Sequence, residues 1–312
     1  MLFKEALIVQ RLFSMICAME YIYIDTDEAL HEAVQKWKEL ECIAVDFEGE
    51  FNLHIYGEHL CLIQVYDGSG YFLIEPRSHA ITKQGLEEFF SIETEKVWFE
   101  CQSDASLVFK QYGLRIRNIV DIRVMAKALG YQGNLSGLEE KYLGIKDDGN
   151  KKKHQQANWL ERPLDPEEIE YALKDVEYLI ALRSILEDLV REKHLEKHTE
   201  AMMRKATQVA EGKPGWTKVC SWRMLGSRER EYVKAIYLAR DAIARRFNVP
   251  AVRVMDKHRI AELAMRVPRS RDELSERLKD EPPRFRKMLI ENTWNAIERV
   301  SGNLPDKQGQ KR

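Results

Sequence analysis

"CIAVDFEGEF", residues 42–51, is the stretch on which the reading of this chain turns. An apolar run, Ile43-Ala44-Val45, leads straight into Asp46 and Glu48. Successive side chains of a strand alternate between its faces, so Asp46 and Glu48 share one face and Phe47 takes the other. Two like charges on one face of a core strand repel each other and give up hydration, and a divalent cation offsets both costs. The rival is a strand that ends at Val45 and leaves both acids in solvated loop. D-x-E alone favours that rival, because so short a motif recurs by chance. The two readings separate on whether other elements bring further ligands to the same place.

The 312 residues suffice for one large domain or two ordinary ones, and 44% hydrophobic with 32% charged residues describes a globular chain able to build a core. The net charge of −2 hides an asymmetry. Residues 1–203 carry 23 Lys+Arg against 37 Asp+Glu, a net of −14, while residues 204–312 carry 26 against 14, a net of +12. An acidic front half suits metal binding and a basic back half suits a polyanion such as nucleic acid, although two mutually attracting domains would show the same split. The cysteines Cys17, Cys42, Cys61, Cys101 and Cys220 form no C-x-x-C pair, which fits a reducing cytoplasm better than a disulfide framework or a zinc knuckle. No apolar run approaches the ~18 residues of a membrane span, so no membrane association is expected. Residues 1–18 are interrupted by Lys4, Glu5 and Arg11, unlike a signal peptide, and are read as an extension ahead of Met19.

Along the chain, "YIYI" (21–24) reads as a strand and "DTDEALHEAVQKWKELE" as a helix with an apolar stripe at Leu30, Val34 and Trp37. Strands follow at 42–47, "LCLIQVYD" and "GYFLIEP", the last two separated by the turn residues Gly68-Ser69-Gly70. Helix "KQGLEEFFS", strand "KVWFE", a helix closed by Gly113, strand "IRNIV" and helix "DIRVMAKALG" come next. "SGLEEKYLG" is expected to open with a capping box from Ser136 to Glu139. After a polar loop, "DPEEIEYALKDVEYLIALRSILEDLV" has a strong helix start, with Asp165 as N-cap and Pro166 in the first turn. "EGKPGW" (211–216) reads as linker, and four helical segments with short Pro-containing turns come after it. Strands in a row followed by alternating strand and helix predict a mixed α/β sheet covered by helices.

A two-metal phosphodiesterase site needs carboxylates delivered by several elements and a group that orients the attacking water. Asp46 and Glu48 are the first pair. Asp104 lies just past "KVWFE" at a helix start, and Tyr171 and Asp175 lie four apart on the long helix, hence on one face. Each has an ordinary explanation by itself: a helix-start acid, or a partly buried aromatic beside a solvated charge. The set, in this order, is what raises the metal reading.

D-x-E, then Asp, then Y-x-x-x-D resembles the DEDD 3′–5′ exonucleases of the tyrosine subclass. "LCLIQ" (60–64), "NIVDIRVMAKALG" and "QQANWLERPLDPEEIEYALKDVEYL" resemble ribonuclease D in particular, and the basic segment beyond Trp222 resembles the helical HRDC module that comes after the nuclease in that family. The resemblance implies a ribonuclease H-like mixed sheet flanked by helices plus an all-α bundle. It divides the chain into an extension (1–18), an exonuclease domain (19–203), a linker (204–221), an HRDC-like domain (222–302) and a disordered tail (303–312). It implies two divalent ions, Mg²⁺ or Mn²⁺, with Asp46 bridging both, Glu48 and Asp175 completing the first, Asp104 holding the second, and Tyr171 positioning or helping to deprotonate water. Hard carboxylate oxygens with no nearby Cys/His cluster agree with those ions over zinc. The implied activity is trimming of RNA 3′ ends, such as those of tRNA precursors, to nucleoside 5′-monophosphates by a cytoplasmic monomer.

RNA contacts are expected at Lys152, Gln155, Trp159, Arg162, Arg240, Arg245 and Arg246. The sequence departs from the family at Phe99 or Glu100, where a histidine is usual, at Ala157-Asn158-Trp159 in place of Ser/Thr-Asp-Trp, and in having room for one HRDC module. His194 and His198 have a zinc-compatible spacing but no third ligand, and the resemblance puts Asp121 outside the metal set, as a structural residue or one that supports a metal ligand from behind. A DNA exonuclease with the same site is one rival. A catalytically silent scaffold is the other, and the presence of all five motif residues ranks it well below the enzyme.

Overall fold

The computed structural model describes residues 19–146, 157–209 and 212–303. Six strands form one mixed sheet: β1 (Tyr21–Ile24), β2 (Cys42–Phe51), β3 (Glu58–Tyr66), β4 (Tyr71–Ile74), β5 (Glu95–Trp98) and β6 (Ile119–Asp121), in the spatial order β1-β4-β3-β2-β5-β6. β3 and β4 run antiparallel across a turn in which Asp67 Oδ1 accepts from the N–H groups of Ser69 and Gly70 at 2.9 and 2.8 Å. β1 pairs with β4, β2 with β5, and β5 with β6, all in parallel.

β2 does not stop at Val45; it continues to Phe51. Its alternation divides two cores. Ile43, Val45 and Phe47 enter a cluster with Trp37, Phe89, Phe90 and Trp98, whereas Ala44 meets Val97, Ile122, Val176 and Leu182 on the opposite face. Asp46 and Glu48 continue the Ala44 face, beyond the Ala44–Val97 pair that ends the β2–β5 register. The solvated-loop reading of the two acids is thereby removed.

The helices of this unit are α1 (Asp27–Trp37), α2 (Lys83–Ser91), α3 (Gln102–Tyr112), α4 (Ile122–Ala128), α5 (Leu135–Leu143), α6 (Pro166–Glu177), α7 (Leu179–Glu192) and α8 (Glu196–Ala206). Gly113 closes α3 at φ 70°, the left-handed conformation its lack of Cβ permits. The long helix expected from Asp165 onward is two, broken at Tyr178 (φ −105°, ψ 0°). The break lets α6 place Ile169, Ala172 and Leu173 in a cluster with Leu62 and Leu73, while α7 turns Leu182 and Leu186 to the Ala44 face. The expected capping box at Ser136 is not formed. Asn134 caps α5 by accepting from Gly137 N–H at 3.1 Å, and Ser136 and Glu139 are buried.

The chain divides into two compact units, Met1–Glu50 with Glu58–Glu211, and Phe51–Gly57 with Gly212–Arg312. In the second, short 3-10 turns at Gly215–Lys218 and Trp222–Met224 lead into α9 (Ser227–Phe247), α10 (Lys257–Met265), α11 (Arg271–Arg277) and α12 (Pro283–Asn303). Val233, Ile236, Ile243, Leu263, Leu274 and Leu289 form its core. The expected linker at 204–221 is shorter than its bounds: α8 runs to Ala206, and Trp216, Val219 and Cys220 pack with the helical core. The extension at 1–18 and most of the tail lie outside the described residues.

Candidate active site

The site lies at the carboxyl ends of the parallel strands, where β2 outruns β5. Asp46 and Glu48 come from β2, Asp175 from α6, and ligand oxygens of the three lie within 4.8 Å of one another. Each side chain is half-buried. Burial and the charges of Asp104 and Asp175 push the Asp46 carboxyl well above the usual carboxylate range. Glu48 is pushed up likewise, and every charge named in its shift is another carboxylate: Asp46, Asp175, Asp104 and Glu168. Hard oxygen donors crowded into mutual repulsion are a donor set suited to a Mg²⁺- or Mn²⁺-class cation. The residues therefore fit the ions that the motif implies.

Asp104 stands outside the trio but within electrostatic reach of Asp46 and Glu48. It sits in the first turn of α3, half-buried, and its Oδ2 accepts from the Trp98 indole N–H at 3.0 Å. Burial, assisted by the charges of Asp121 and Glu100 and opposed by the Trp98 hydrogen bond, pushes Asp104 up to about 7. The turn that delivers it is held by Asp121. Its Oδ1 accepts from the N–H groups of Glu100 and Arg123 at 2.9 Å each, and its Oδ2 from that of Cys101 at 3.1 Å. Asp121 is thus structural. It braces Glu100, whose φ of 67° is left-handed. Arg123 adds an ion pair to Glu100 and lies 5.5 Å over the Phe99 ring.

Tyr171, one turn before Asp175 on α6, is hydrogen-bonded to it. Burial first, then the Asp175 and Glu48 charges, raise the phenol pKa far above its ordinary value. The capping box of Asp165 and Glu168 fixes the start of α6.

Three expected RNA contacts are placed otherwise. Trp159 is 2% exposed and packs its ring 6.3 Å from that of Tyr171, so it supports the site from behind. Arg162 commits its guanidinium to the Glu75 carboxylate and to the carbonyls of Trp159, Glu161 and Cys61, pinning the segment before α6 to β3 and β4. Arg240 is 5% exposed, 4.6 Å over the Tyr237 ring and bonded to the Met255 carbonyl. Arg245 and Arg246 are exposed on α9, and Lys152 and Gln155 lie outside the described residues. Trp98 and the packing role of Trp159 escaped sequence reasoning, since a tryptophan in an apolar segment carries no sign of where its N–H points.

Comparison with known proteins agrees with this geometry. The profile of the 3′–5′ exonuclease family matches residues 21–191. The chain belongs to that family. The HRDC domain profile matches residues 229–286, within the helical unit. Among curated proteins, the chain resembles Ribonuclease D of Zymomonas mobilis, 26% identical over 80% of this chain and 65% of that protein. Ribonuclease D of Haemophilus influenzae is 28% identical over 53% of this chain and 41% of its own length. The chain spans less than two thirds of the length of these relatives. Among solved structures, Escherichia coli RNase D superposes with a TM-score of 0.75 at 21% identity, covering 92% of this chain and 76% of that one, which shows the shared fold. Among the described residues, no helix is long and apolar enough to cross a membrane.

Proposed function

We propose that the chain is a divalent-metal-dependent 3′–5′ exoribonuclease that trims structured RNAs such as tRNA precursors, releasing nucleoside 5′-monophosphates as a monomer in the cytoplasm. The convergence of Asp46, Glu48 and Asp175 beside Tyr171, in an exonuclease domain followed by an HRDC domain, carries this reading. Relatives named Ribonuclease D, and an E. coli counterpart described as an exoribonuclease involved in structured RNA processing, favour RNA over DNA.

Asp46, Glu48 and Asp175 would hold one ion, and Asp46 with Asp104 a second. When bound, Mg²⁺ or Mn²⁺ supplies Lewis-acid activation of water and charge compensation at the departing 3′ oxygen. The chain's own residues do the rest. Tyr171, hydrogen-bonded to Asp175, would position the attacking water or help to deprotonate it. Trp159 behind it fixes the ring. Arg245 and Arg246, with Lys152 and Gln155, meet the RNA backbone.

The test is digestion of end-labelled RNA and matching single-stranded DNA with Mg²⁺ or Mn²⁺, by wild type and Asp46→Asn. Stepwise 3′ shortening of RNA, abolished by the substitution, is the expected result. Shortening of DNA alone overturns the substrate, and binding without cleavage under either ion overturns the activity.

A further inference from the structure

We infer that Trp98 is a positioning residue whose indole N–H fixes the Asp104 carboxylate and, through it, the second cation position. The inference rests on the proposed role of Asp104 as a ligand. Trp98 ends β5 and is 0% exposed, inside the core cluster that also contains Phe47. Its ring is clamped edge-on by Phe47 at 4.7 Å and 83°. Phe47 lies between Asp46 and Glu48 in sequence, so one packing contact ties the β2 acids to the ring that addresses Asp104.

An indole carries a single donor and no acceptor, and here it points at a charged oxygen, Asp104 Oδ2, 3.0 Å away. Phenylalanine would keep an aromatic ring at this position with a smaller volume; what tryptophan adds is a buried donor aimed at Asp104. The contrast with Trp37 is informative. Trp37 is also fully buried in this cluster, and its Nε1 has no hydrogen-bond partner. A buried indole here is therefore not driven to a carboxylate merely to satisfy its N–H.

Asp104 is a short side chain in the first turn of a helix. Asp121 holds its backbone through Glu100 and Cys101, and Trp98 holds its head. With Oδ2 tied, the carboxylate is held in one orientation and Oδ1 is left for a cation. Partners that orient a metal ligand in this way are worth about 10- to 100-fold in metal affinity or activity when removed.

The experiment counts Mn²⁺ bound to the full chain in the presence of AMP, by electron paramagnetic resonance, for wild type, Trp98→Phe, Asp104→Asn and Phe90→Leu. Phe90 lies in the same core, its ring against Phe47 and Phe89, so its truncation loosens this packing while leaving the Trp98 donor in place. Wild type and Phe90→Leu are expected to bind two ions. Trp98→Phe should keep the first and weaken the second about 10- to 100-fold, with kcat on RNA falling by a similar factor and KM unchanged. Two ions at wild-type affinity in Trp98→Phe overturn the inference, as does equal loss in Phe90→Leu, which would make the effect one of packing. If Asp104→Asn keeps both ions, the ligand role of Asp104 falls and the inference with it. Should Trp98→Phe not fold, the Trp98 indole resonance of ¹⁵N-indole-labelled protein decides. It should move as Mg²⁺ fills the second position in wild type and stay still in Asp104→Asn; indifference to Mg²⁺ in wild type overturns the inference.

Discussion

Replacing Asp121 with alanine removes the acceptor of three backbone N–H groups, those of Glu100, Cys101 and Arg123. Asp121 is 3% exposed, so water does not readily take its place. A buried donor left without a partner costs about 1–3 kcal/mol. Arg123 lies in the first turn of α4 and is half-exposed, so its N–H recovers part of its loss from solvent. The three together should cost about 3–5 kcal/mol, a large share of the roughly 5–15 kcal/mol that holds a typical domain folded. Glu100 offsets part of this, since its left-handed φ of 67° costs about 1–2 kcal/mol for a residue with a Cβ and can relax once the bond that holds it is gone. The functional consequence comes from position. Asp104 lies four residues beyond Glu100, and displacing a ligand-bearing turn costs about 10- to 100-fold in kcat. Asp121→Asn is graded: its carbonyl oxygen still serves Glu100 and Arg123, and its amide faces Cys101 N–H donor to donor. Removing the Asp121 charge also lowers the Asp104 carboxyl of the metal-free protein from about 7. Urea unfolding and RNA digestion measure both effects. A loss below about 1 kcal/mol in Asp121→Ala, or wild-type kcat, would refute the brace.

The bare carboxylates make stability depend on pH. Asp104 rises from its usual 3.8 to about 7, so the folded protein binds extra protons in that window and its stability without metal falls as pH rises through it. The shift corresponds to about 4 kcal/mol, discounted to about 2 because the group is partly exposed. Metal-free Asp104→Asn should therefore melt above metal-free wild type at pH 8, and Mg²⁺ should stabilise wild type more at pH 8 than at pH 5; a melting difference that does not change with pH contradicts this. Tyr171→Phe keeps the ring beside Trp159 and removes the donor, so kcat should drop by about 100-fold with Mn²⁺ binding intact; retention of kcat would remove Tyr171 from the reaction. The double substitution Arg245→Ala/Arg246→Ala should flatten the salt dependence of RNA binding by about 1.4 in log–log slope, at about 0.7 per lost phosphate contact. An unchanged slope would place the RNA elsewhere.

Much of the fold was legible because burial follows alternation and capping. β2 reads from its sequence as a core strand with two acids on one face, and Gly113, Asp165 and Pro166 mark helix ends that the structure shows. Local signals failed where two of them competed. Ser136 and Asn134 are both good N-caps, and the winner was set by which side chain was left outside the core. Tyr178 breaks a helix that its periodicity would continue, because α6 and α7 cover different clusters. The expected RNA contacts were the least readable. Trp159, Arg162 and Arg240 are residue types that bind nucleic acid, but the same ring and guanidinium chemistry makes them good internal fasteners, and only their neighbours decide between the two uses.

The same logic explains why the acids lie so far apart in the chain. A cluster of carboxylates with raised pKa values works against folding, so it must be imposed by elements stable for other reasons. β2 supplies Asp46 and Glu48 because Phe47 anchors one face against Trp98 while Ala44 anchors the other against Val97. α6 supplies Asp175 because Ile169, Ala172 and Leu173 are committed to β3 and β4. The β5–α3 turn buries Cys101 in one core and rests Phe99 against the other, and there the chain adds polar devices: Asp121 on the backbone and Trp98 on the side chain. Asp104 is consequently held by a hydrogen bond from a core indole as well as by the packing of its turn. It is where substitutions remote from the trio should separate the second cation from the first.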